Sequence, residues 1–131
     1  MNQRLVVFKN FAVDLARLSK CEERHVAAII TDRDLMQVYS IGLNGGPKGL
    51  DNCICNIGHK YGCIHAEAQA IAKCTSTDKE KVMFVTLAPC IACATHIINN
   101  GFVKVYYFED WPRDDTGIRL LKQANIQVVK I

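Results

Sequence analysis

His65-Ala66-Glu67 and Pro89-Cys90-Ile91-Ala92-Cys93 put an imidazole, two thiols and a carboxylate into two short segments of one chain. Imidazole and thiolate are ligands that zinc prefers. A structural zinc site closes its tetrahedron with a fourth protein ligand, whereas a catalytic one stops at three and leaves the last corner to water. If His65, Cys90 and Cys93 are the three, Glu67 is spare. It lies two residues beyond His65, an offset that points the two side chains in different directions on a helix, so Glu67 can face the water rather than the ion. Such a site makes a nucleophile of water at neutral pH and has a carboxylate at hand to move the protons. The competing reading closes a structural zinc around Cys90 and Cys93 with two cysteines from an upstream loop. An isolated Cys-x-x-Cys would favour it; His-x-Glu upstream and proline directly before Cys90 favour catalysis.

These residues need elements to hold them. Cys90 and Cys93 are three apart where Pro89 opens a helix over 90–100, so both sulfurs lean to one side, and the helix start favours their thiolates. Gly101 stops that helix. His65 opens another, marked by Ala66, Ala70 and Ile71. Upstream, Leu5, Phe8, Phe11, Ala12, Leu15, Ala16 and Leu18 recur at helical intervals and predict a first helix ending near Ser19 or Lys20. Val26 to Thr31 and Met36 to Ile41 read as a hairpin turning at Asp32-Arg33-Asp34. Strands follow at Val82–Leu87 and Val103–Phe108, then a helix at Gly117–Ala124 and a strand at Ile126–Val129. The glycine- and cysteine-rich stretch from Gly42 to Gly62 reads as a functional loop. The order α, β, β, α, β, α, β, α, β argues for a mixed sheet with helices on both faces.

At 131 residues, 50% hydrophobic and 22% charged, the chain fits one globular domain spanning 1–131. No segment reads as membrane-spanning, and charges interrupt the N-terminal apolar residues, so a cytoplasmic protein is expected. Its seven cysteines then read as thiols or metal ligands rather than disulfides. A net charge of +3 without a basic run interleaved with aromatics speaks against nucleic acid and suits a small anionic substrate.

His-x-Glu with Pro-Cys-x-x-Cys is the signature of zinc deaminases. With the loop Gly42-Leu43-Asn44-Gly45-Gly46-Pro47-Lys48-Gly49 and the segment from Cys21 to Ile30 added, the chain resembles the deoxycytidylate (dCMP) deaminase family of the cytidine deaminase-like superfamily, across nearly its whole length. The glycine loop resembles the nucleotide-specific branch. Leu43, Ala27, Gln69, Ala88 and Ile91 depart from the family pattern; none of them is a ligand or the proton carrier.

The resemblance implies a three-layer α/β/α fold with a mixed five-stranded sheet and hydrolytic deamination of dCMP to dUMP, a supply step for thymidylate synthesis. It implies zinc on His65, Cys90 and Cys93 and a proton shuttle at Glu67. Asn44 would hold the deoxyribose end, the Ala66 backbone would meet the pyrimidine carbonyl, and Tyr107 and Trp111 would wall the base and sugar. Arg24, Lys48 and Arg113 are either phosphate donors or solvated surface charges. A homohexamer regulated by dCTP or dTTP with Mg2+ through the loop around Gly45, Gly46 and Lys48 is a further implication. Cys21, Cys53, Cys55, His59 and Cys63 read either as ligands of a second, structural zinc or as unmetallated thiols. Two rival functions remain, a deaminase of another cytosine nucleotide or nucleoside and a non-catalytic zinc-binding module.

Overall fold

The computed structural model describes residues 1–50 and 63–131. Helix α1 (Gln3–Ala16) starts where the Asn2 side chain caps the Leu5 amide at 2.9 Å. Strands β1 (Ala27–Thr31) and β2 (Val38–Leu43) follow, then α2 (Ala66–Lys73), β3 (Lys81–Leu87), α3 (Ile91–Asn99), β4 (Phe102–Glu109), α4 (Thr116–Gln123) and β5 (Gln127–Lys130). The element order is the one expected from periodicity. The five strands form one mixed sheet in the order β2-β1-β3-β4-β5. β1 pairs antiparallel with β2 and with β3, whereas β3, β4 and β5 are parallel and joined through α3 and α4.

Side chains alternate between the two faces of the sheet with the two-residue period of the strands. Ile29, Val82, Phe84 and Tyr106 face α1 and pack with Ala12, Leu5, Phe8 and Leu15. Ala28, Ile30, Met83, Val85 and Val105 face the other way, against Ala66 and Ala70 of α2, Ala94 and Ile97 of α3, and Ile118 and Leu121 of α4. Among the described residues, one helix thus covers one face and three cover the other. Phe84 is fully buried and stacked between Phe8 and Tyr106, with ring centroids 5.2 and 4.9 Å away.

Three boundaries differ from the sequence expectation by more than one residue. α1 stops at Ala16, where Arg17 caps it, rather than near Ser19 or Lys20. The second strand begins at Val38, not Met36, because the Asp32 carboxylate accepts from the Met36 and Gln37 amides at 2.7 and 2.9 Å and holds both residues in the turn. Leu35 completes that turn at φ 56°. β2 then runs on through Gly42 and Leu43, which the sequence placed in the loop. Residues 51–62 of that loop lie outside the described residues. Among the described residues, no helix is long and apolar enough to cross a membrane.

Candidate active site

β3 ends at Leu87 and the chain turns through Ala88-Pro89 into α3, with Cys90 as its N-cap residue. α2 begins in the same manner, with His65 at its N-cap. Neither side chain makes a cap hydrogen bond, and the Cys90 sulfur and the His65 ring meet between the two helix starts. Cys93, one turn into α3, is buried beside them. The two helix starts meet beyond the carboxyl end of β3, the usual position of sites in α/β sheets.

The cluster is tight. His65 Nδ1 lies 3.3 Å from Cys93 Sγ and 3.5 Å from Cys90 Sγ, and all three ligand atoms fall within 4.8 Å of one another. A tetrahedral zinc with bonds of about 2.0 Å to nitrogen and about 2.3 Å to sulfur sets N···S edges of about 3.5 Å, so the donor set and its spacing fit that ion. Hydrogen bonding from Cys93 and His65 holds the Cys90 thiol far below its ordinary range, at about 4, which makes it a thiolate. The same bond to Cys90, with burial, pushes the Cys93 thiol up: the pair shares a proton that a cation would displace. His65 is raised from its usual value chiefly by its bond to the Cys90 sulfur.

Glu67 is 4% exposed on the first turn of α2. Burial raises its carboxyl to about 7, against the opposing pull of its own backbone amide and of His65. A carboxyl poised there can take and return a proton at neutral pH.

Several of the expected substrate residues have a framework role of their own. Asn44 is buried and fully engaged at its oxygen. Its Oδ1 accepts from Ser19 Oγ at 2.5 Å and from the Val26 amide at 2.9 Å, while Nδ2 donates to the Arg24 carbonyl at 2.7 Å. Among the described residues, the second Nδ2 hydrogen has no partner. Asn44 therefore ties the segment from Ser19 to Val26 to the end of β2. Arg24, at the tip of that segment, lies with its guanidinium carbon 4.2 Å from the centroid of Trp111.

Tyr107 and Trp111 both pack against the core on the α2, α3 and α4 side. With Arg113 and Ile118 they wall a cleft of about 430 Å³ that reaches Ala88, the start of the turn into Cys90. Ala66 is fully buried. Gly45 bridges Ile64 through two backbone hydrogen bonds of 3.1 and 2.7 Å, Gly46 follows it, and Lys48 is exposed in the next turn. Cys21 and Cys63 are buried together, whereas Cys53, Cys55 and His59 lie outside the described residues. Ser19 was not expected to matter. Its one hydroxyl hydrogen is shared between Asn44 Oδ1 and the Asn44 carbonyl, the latter 2.8 Å away, and a serine just past a helix end carries no sequence signal for that contact.

Residues 3–109 match the family model described as the cytidine and deoxycytidylate deaminase zinc-binding region. The chain is 34% identical to human deoxycytidylate deaminase over 119 residues, covering 81% of this chain and 66% of that one. It is 30% identical to the deoxycytidylate deaminase of Mycobacterium phage D29 over 118 residues, covering 76% and 90%. It is also 28% identical to the Saccharomyces cerevisiae enzyme over 92% of its own length, but spans only 42% of that protein. Among solved structures, dCMP deaminase from cyanophage S-TIM5 in complex with dCMP and dUMP aligns with a TM-score of 0.87 and 27% identity, over 100% of this chain and 99% of that one. By sequence and by fold, this chain belongs to the cytidine and deoxycytidylate deaminase family.

Proposed function

We propose that this chain is a zinc-dependent deaminase that converts dCMP and water to dUMP and ammonia. The carrying observation is a buried Glu67 beside a His65, Cys90 and Cys93 cluster. It is supported by a fold that matches, end to end, a phage enzyme crystallised with dCMP and dUMP.

When bound by His65, Cys90 and Cys93, zinc supplies a Lewis acid that makes water nucleophilic at neutral pH. Glu67 manages the protons. It takes the one that water gives up on attacking C4 of cytosine and delivers it to ring N3; the second water proton follows to the amino group, which leaves as ammonia. The carboxyl held near 7 serves both directions of this transfer.

Trp111 and Tyr107 flank the base and sugar, and the Ala66 backbone meets the pyrimidine carbonyl. The spare Nδ2 hydrogen of Asn44 is available to the deoxyribose end, and Arg24 and Arg113 to the phosphate. Arg24 is steadied for that task by its seat over Trp111. Assembly into a homohexamer, and control by dCTP or dTTP with Mg2+ near Gly45, Gly46 and Lys48, belong to the same reading. Val7, Phe11 and Val13 of α1 and Leu18 just beyond it are all exposed, which supports self-association.

The test is ammonia release by zinc-loaded protein with dCMP, dCTP, deoxycytidine and cytidine in parallel. The reading expects dCMP to be turned over best. Zinc-loaded, folded protein that turns over none of the four overturns it.

A further inference from the structure

Two glycines touch the metal-site helices more closely than any side chain could. Gly117, the second residue of α4, is buried against the turn that carries Cys90. A Cβ built there would lie 2.0 Å from the Pro89 carbonyl oxygen, 2.9 Å from the Cys90 carbonyl carbon and 3.0 Å from the Cys90 carbonyl oxygen. Gly42, on β2, approaches the other helix: its Cβ would lie 2.2 Å from the Ala66 carbonyl oxygen and 2.5 Å from the Ala70 amide nitrogen. Neither glycine has a positive φ, so space rather than backbone conformation demands glycine at both positions.

The neighbours in question cannot swing aside as side-chain tips can, because they are backbone. The Cys90 carbonyl also accepts from the Ala94 amide at 2.9 Å, the first hydrogen bond of α3. Displacing it moves the N-cap that presents the Cys90 sulfur. On the other side, Ser40 Oγ donates to the Ala70 carbonyl at 2.7 Å, one alternate position along β2 from Gly42, so strand and helix are bound together at the point of closest approach. α2 presents His65 at its start. Glycine is otherwise a poor choice in either place, since it weakens both helices and strands.

We propose that Gly117 and Gly42 are positioning residues that set the spacing between the two halves of the metal site. Gly117 lets α4 press the Pro89-Cys90 turn into place; Gly42 lets β2 seat the helix that begins at His65. A methyl group at either position forces a backbone shift of about 1 Å, a displacement large enough to matter in a preorganised site. This rests on the reading of His65, Cys90 and Cys93 as ligands.

The experiment compares wild type, Gly117→Ala and Gly42→Ala as metal-free proteins, with no substrate present. Zinc affinity is read by competition with a chromogenic chelator, and ligand geometry by the thiolate-to-cobalt charge-transfer band after Co2+ binding. Retained helical circular dichroism establishes that a variant is folded. Gly117→Ala is expected to bind zinc about 10-fold to 100-fold more weakly, the range seen when support behind a ligand is disturbed, and to shift the cobalt band. Gly42→Ala is expected to lose affinity through the His65 half, and it decides the question if Gly117→Ala does not fold. A folded variant with wild-type zinc affinity and an unchanged cobalt spectrum overturns the proposal, even if its unfolding temperature has dropped. Wild type that binds zinc but deaminates nothing would end the proposed function and leave this comparison standing.

Discussion

Replacing Asn44 by alanine separates a framework role from a purely ligand-holding one, and the cost can be worked from the contacts. The side chain makes three hydrogen bonds, with Ser19 Oγ, the Val26 amide and the Arg24 carbonyl. Ser19 keeps a partner after truncation, because its hydroxyl also reaches the carbonyl of residue 44. The Val26 amide does not fare so well: Val26 is 8% exposed, and its amide loses the Oδ1 acceptor. An orphaned buried donor costs about 1–3 kcal/mol, and the bond to the partly exposed Arg24 carbonyl adds about 1 kcal/mol. The total is about 3 kcal/mol, which for a chain of this size lowers the unfolding temperature by on the order of 10 °C. Urea unfolding followed by circular dichroism measures it, with the midpoint expected to fall at constant slope. Asn44→Asp should also destabilise, because it places an oxygen against the Arg24 carbonyl where an N-H was donating. In both variants KM for dCMP should rise as well, since Arg24 loses the anchor behind it. Wild-type stability in Asn44→Ala, within about 0.5 kcal/mol, would refute the framework argument whatever happens to KM.

Glu67→Gln should keep its zinc while kcat falls by about 10²-fold to 10⁴-fold, as steady-state rates and metal analysis on one preparation will show. Cys93→Ala is expected to lose both metal and the stabilisation that zinc gives the fold, read as zinc content and as the change in unfolding temperature on adding zinc. Phe84→Ala removes a ring buried between Phe8 and Tyr106 and should cost about 3–5 kcal/mol in denaturant unfolding, with the metal site untouched in composition. Asp78 is held below the ordinary aspartate value by the Glu80 amide and the Tyr39 hydroxyl, so its contribution is complete above the unfolded value and fades as pH falls through the folded one. Asp78→Asn should accordingly flatten the acid end of the stability profile and leave neutral turnover unchanged.

What could be read directly from the chain was local. His65, Glu67, Cys90 and Cys93 sit within a few residues of two helix starts, so spacing showed which side chains of each segment lean together, and the His-x-Glu with Pro-Cys-x-x-Cys signature joined the two segments. The strands were legible for a related reason: β1 and most of β3 are buried on both faces and show as unbroken apolar runs. The remainder depends on backbone atoms, which have no letter in a sequence. Asn44 entered as a substrate residue only through the family resemblance; that its oxygen is already claimed by Ser19 and Val26 follows from the segment between α1 and β1 folding back over the end of β2. Met36 and Gln37 looked like strand because they open the apolar run that ends at Ile41, yet one carboxylate, Asp32, takes both amides. Gly117 is the sharpest case. It reads as an indifferent helix start, although a glycine inside the first turn of so short a helix works against that helix. That local disadvantage is itself the available clue: a residue that its own element disfavours belongs to the contact it permits, here the passage of α4 against the carbonyls of Pro89 and Cys90.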